Sequence, residues 1–196
     1  MLMNILGNRN QFAIQWDIEA FDRKWFPTHL CFWIGGRQIG NFEDTLQSYC
    51  YITRLEDFLL YENIRHHPFL FNRNKEDIFH HVYQRAYGFI VNLQKNIFEI
   101  ECLDTESFDQ YFLEEEYQKW LKRVFLIDDM FFPAFKDYDI MIINEPPKNR
   151  QSILWLDMNQ SKFNINEHVL PIGHFERIAW EFLQKSIDFL NANGYD

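Results

Sequence analysis

Basic charge, glycine, proline and cysteine are all in short supply in this sequence, and each shortage excludes something. There are 7 glycines and 6 prolines in 196 residues, too few for a low-complexity or disordered chain. The three cysteines, Cys31, Cys50 and Cys102, make no CxxC pair and are odd in number. A disulfide framework and a cysteine zinc site both fit that poorly, which points to a reduced, cytoplasmic protein with core thiols. Apolar runs stop at about five residues, against the roughly 20 needed to span a bilayer. The start, MLMNILGNRNQ, lacks the basic region and small-residue cleavage site of a signal peptide. The expectation is therefore a chain that does not associate with membrane.

Lysine and arginine are absent between Lys95 and Lys119, and the surrounding segment is strongly acidic. From Glu99 to Glu145 there are 13 acids against four bases, so this segment carries −9 of a total net charge of −10. Phosphate binding needs the opposite sign, so direct nucleic-acid binding is not expected. A basic protein partner fits, and so does simple solvation of an aromatic-rich surface. Motifs are missing too. There is no GxxxxGK[ST], GxGxxG, GxSxG or HExxH. His66-His67 and His80-His81 are adjacent pairs, and neighbours on a helix diverge by about 100°, too far to chelate one ion together. No metal and no cofactor is expected. A small metal-dependent or hydrolytic enzyme using His67, His81 and Asp77 remains as an alternative, as does an adaptor of another kind.

Aromatic residues are what the chain has in abundance: 21 Phe, 9 Tyr and 6 Trp, or 18%. Gln11–Glu19 alternates Phe12, Ile14, Trp16 and Ile18 on one face, the period of a strand. Thr28–Ile34 is a second strand. Gly35-Gly36 suits a primed two-residue turn into a short third strand, Arg37–Ile39. The stretch reads as an antiparallel meander with one buried face. A helix is expected from a cap at Asp44 or Thr45 to about Tyr61, and another from a cap at Asn74 with Asp77 completing a capping box. Phe89–Cys102 reads as two short strands, and Asp109–Arg123 as containing a helix. Tyr138–Asn144 and Gln151–Asp157 are strands joined by the EPPKNR loop, with Lys162–Ile165 as an extension. A last helix starts at Gly173 or His174 and ends at Asn193-Gly194. Without a regular βαβ alternation, the sequence predicts an α+β fold: a single domain over residues 1–196, with a largely antiparallel sheet and packed helices.

FAIQWDI followed by an aromatic strand and WIGGRQIG resembles the opening of a bacterial family, immunity protein 42, the forty-second of a numbered immunity series. Phe12, Ala13, Ile14, Trp16, Asp17, Gly35, Gly36, Ile39 and Gly40 carry the resemblance. Later segments, RVFLIDD, YDIMIIN, SILWLD and LPIGHFERIAWEFL, are similar in order and character. The resemblance implies a non-enzymatic antidote that binds the toxic domain of a polymorphic or contact-dependent toxin and neutralises it by occlusion in the cytoplasm. If that toxin is a nuclease with a basic cleft, an acidic surface would mimic its substrate. The expected contact residues are Asp104, Glu106, Asp109, Glu114, Glu115, Glu116, Asp128 and Asp129. Trp33 joins them because it falls opposite the Phe32 and Ile34 face, where an exposed aromatic would suit a binding hot spot.

Overall fold

The computed structural model describes residues 4–19, 26–60, 70–87, 89–92, 97–100, 125–127 and 133–194. The described residues form one five-stranded, one four-stranded and one two-stranded sheet, and every strand pairing among them is antiparallel. With its helices this is the α+β arrangement that the mixed strand and helix periodicities predict. None of the described helices is long and apolar enough to cross a membrane.

The first sheet begins one strand earlier than the periodicity suggests. Asn4–Gly7 (β1) pairs with Phe12–Ile18 (β2), and β2 pairs with Pro27–Ile34 (β3). Four residues are too few to show a period of two, so β1 reads as a polar lead until a partner strand is beside it. Gly35 and Gly36 have φ of +57° and +83°, the pair of positive values a type I′ turn requires. They return the chain as Arg37–Ile39 (β4) along the end of β3. Thr45–Gln47 (β5) takes the start of the same edge, pairing with Pro27–His29.

That pairing corrects the expected helix start. Asp44 and Thr45 do not cap; the helix is Ser48–Leu60 (α1). The free backbone groups on the edge of β3 take up Thr45–Gln47 as a strand, and the Ser48 hydroxyl donates to the Phe26 carbonyl at 2.7 Å. The second helix, Lys75–Tyr87 (α2), starts as predicted. The Asn74 side chain accepts from the Asp77 backbone N–H at 2.7 Å and donates to the Asp77 carboxylate at 2.9 Å, which satisfies one of the helix's orphan donors.

Phe89–Asn92 (β6) and Ile97–Ile100 (β7) form the two-stranded sheet. Phe125–Ile127 (β8), Tyr138–Glu145 (β9), Arg150–Asp157 (β10) and Ile165–Leu170 (β11) form the four-stranded one, in the order β11-β10-β9-β8. The β9–β10 loop turns through Pro146–Lys148 and Asn149, which is left-handed at φ 48°. The last strand lies beyond the expected Lys162–Ile165 extension, because the pairing with β10 runs from Leu156↔Ile165 to Gln151↔Leu170. His174–Ala192 (α3) closes the fold.

The two larger sheets share one core. Phe12, Ile14, Trp16 and Phe32 from the first meet Ile140, Ile142, Ile153 and Trp155 from the second, with α1 and α3 packed among them. Tyr51 lies against Phe182 and Phe58 against Phe175, at 5.5 and 5.9 Å between ring centroids. As α1 advances its partners in α3 recede, so the two helices run antiparallel. A second core lies on the other face of the four-stranded sheet, where Ile78, Phe79, Val82 and Tyr83 of α2 cover Met141, Ile143, Leu154 and Leu156. Burial on both faces explains the near-continuous apolar run YDIMIIN, which a one-sided strand would not need.

Candidate partner-binding surface

Of the residues expected to meet a partner, Asp104, Glu106, Asp109, Glu114, Glu115, Glu116, Asp128 and Asp129 lie outside the described residues, as does the helix expected within Asp109–Arg123. Trp33 is described, and its surroundings are specific. It stands on β3 directly across from Ala13, on the face turned away from the shared core. Its indole N–H donates to the Gln15 Oε1 at 2.8 Å. The Arg9 guanidinium lies over the ring, 4.3 Å from its centroid, and its Nη2 donates to the same Gln15 oxygen at 3.1 Å. Trp33 is half-buried and Arg9 exposed. Beneath them the first sheet is less one-sided than its alternation suggests, since Ala13, Gln15 and Cys31 are buried as well. Burial pushes the Cys31 thiol up to about 12, against the opposing pull of Arg9, so it is a protonated core thiol rather than a nucleophile.

Sequence reasoning missed Arg9. It sits in the turn between β1 and β2, where nothing local marks it. The turn is tied to its neighbour: Gly36 N–H donates to the Arg9 carbonyl at 2.8 Å, and Gly35 N–H to the Gln11 carbonyl at 2.9 Å. The β1–β2 and β3–β4 turns therefore form one corner of the molecule.

The same corner reaches the second sheet. Arg37 donates to the Asn166 side chain on β11 at 3.0 Å. A Cβ added at Gly35 would stand 2.8 Å from the His168 Nδ1. Burial lowers the His168 pKa; burial, followed by the charge of Arg177 and by His168, lowers that of His174. Both shifts favour the neutral form of the ring. Three or more His, Cys, Asp or Glu side chains do not converge at any point among the described residues. His66 and His67 lie outside them, and nothing is described of the side chain of His81.

A buried polar cluster anchors the start of α3. Gln151 donates to Asn144 at 2.8 Å and to the Glu176 carboxylate at 2.9 and 2.8 Å, and accepts from the Phe175 backbone N–H at 3.1 Å. Glu176, 4% exposed, is thus held by hydrogen bonds in the first turn of the helix, where the helix dipole favours a negative charge. The cluster is closed off and has the character of a structural joint.

The crystal structure of CdiI from Burkholderia dolosa AUO158 shares this fold, with a TM-score of 0.58 at 15% identity over 93% of this chain and 99% of that one. No curated protein matches the sequence significantly. The family model for immunity protein 42 matches residues 1–185, nearly the whole chain. With the FAIQWDI strand, the Gly-Gly turn, the later strands and most of the final helix within that match, this chain belongs to the immunity protein 42 family and is an immunity protein.

Proposed function

We propose that this chain binds the toxic domain of a cognate polymorphic or contact-dependent toxin and neutralises it by covering its working surface. The family match over residues 1–185 carries the reading. Action by binding rather than turnover is consistent with the motifs that the sequence lacks. The acidic segment from Glu99 to Glu145 supports a basic toxin, such as a nuclease whose cleft accepts phosphates, because complementary potential speeds encounter and favours the correct partner. Asp104, Glu106, Asp109, Glu114, Glu115, Glu116, Asp128 and Asp129 are the proposed acidic contacts, with Trp33 as an aromatic one. The site of action is the cytoplasm, where a single domain of 196 residues would meet the incoming toxin.

The test is co-expression. A cognate toxin domain, sought at the C-terminus of large exported proteins encoded near this chain, should stop growth when produced alone, should be tolerated when this chain is present, and should co-purify with it. Growth arrest that persists despite abundant folded immunity protein would overturn the reading.

A further inference from the structure

Arg9 is held in place by three different contacts. Its guanidinium rests on Trp33, its Nη2 is hydrogen-bonded to Gln15, and its backbone carbonyl is fixed by Gly36. The Gln15 oxygen is itself oriented by the Trp33 indole N–H. A guanidinium has five N–H donors, and one protein acceptor engages this one among the described residues. No described carboxylate forms an ion pair with it. The adjacent turn residues Asn8 and Asn10 are exposed, as is Ile5 at 41% on the same sheet face.

A surface arginine ordinarily loses much rotamer freedom when it grips a partner. Here the fold has already restricted that freedom, while Arg9 is exposed and its other donors find no acceptor among the described residues. A pre-positioned fork loses less entropy on binding and matches a carboxylate in two parallel hydrogen bonds. Arginine and tryptophan are also the residue types most often found to dominate protein interfaces.

We propose that Arg9, stacked on Trp33, is a receptor for a carboxylate side chain of the toxin, an aspartate or a glutamate at the interface. The proposal rests on the toxin-binding reading above and adds a second contact of opposite sign to the acidic one. Two contacts of opposite sign fix the orientation of the partner. A uniformly basic surface on another protein would satisfy the acidic segment and fail at Arg9.

The experiment measures affinity for a catalytically inactivated form of the adjacent C-terminal toxin domain. Arg9→Ala should weaken binding about tenfold or more, with Arg9→Lys intermediate, because lysine keeps the charge and loses the fork. Thermal melting of both variants should stay close to the parent, since the Gly36 hydrogen bond uses only backbone. Each toxin Asp and Glu is then changed to Ala. One of these changes should weaken the parent complex yet leave the Arg9→Ala complex no weaker, which identifies the paired carboxylate. Full affinity in Arg9→Ala, or the absence of any coupled acid, overturns the carboxylate receptor and leaves toxin binding standing. Failure of the parent chain to bind overturns both.

Discussion

At Gly35 two constraints act on one residue. The type I′ turn requires its positive φ, and the His168 ring occupies the space where a side chain would begin. Gly36 carries the first constraint alone, since the nearest atom to an added Cβ there is the Asn10 Oδ1 at 3.6 Å. Alanine at Gly36 should therefore cost the strain of a left-handed residue, about 1 kcal/mol, and alanine at Gly35 about 2–3 kcal/mol. Urea unfolding midpoints check the order; equal losses would mean that the turn does not dock on His168. The requirement for glycine in the turn is legible in the sequence, because primed turns need positive φ locally. The histidine is 133 residues further along, and nothing near Gly35 points to it. Trp33 is similar. Alternation places it on the outer face of the sheet, but only the fold brings Arg9 onto the ring.

At the scale of elements, β9 is the informative case. Met141 and Ile142 are neighbours pointing to opposite faces, and both are 0% exposed. Met141 belongs to the core under α2, and Ile142 to the core shared by the two sheets. Each substitution to alanine should destabilise by about 2–5 kcal/mol, measured by chemical denaturation. In a strand covered on one side only, one of the two would fall within about 0.5 kcal/mol of the parent. The helix that starts at Asn74 was legible because a capping box is written in four consecutive residues. The start of α1 was not. Asp44 and Thr45 are good caps, but the open edge of β3 competes for the same segment, and pairing with Pro27–His29 wins.

The whole molecule is acidic, and its charge is concentrated between Glu99 and Glu145. If the acidic contacts steer the toxin, replacing Glu114, Glu115 and Glu116 by lysine should slow association about tenfold at low ionic strength. The deficit should shrink as salt screens the field over a Debye length of about 8–10 Å. Stopped-flow mixing at two salt concentrations checks this; an unchanged association rate at low salt would remove this patch from the interface. Net charge is a sum over residues, so it can be read before any fold is known. Which acids lie together on one surface cannot be read that way.

The sequence alone determined the strand and helix periods, the turn chemistry, the capping box, the α+β class and the family. The periods, the turn and the capping box rest on residues a few positions apart, where backbone geometry makes the argument local, and the family rests on such local motifs taken in order along residues 1–185. The tertiary structure decided the first strand, the choice of β5 over an earlier start to α1, the burial of β9 and β10 on both faces, and the placing of Arg9 on Trp33. Each of these depends on which distant segment supplies the partner. A free strand edge, an apolar face or an aromatic ring states a need in the sequence, and only the folded chain shows what meets it.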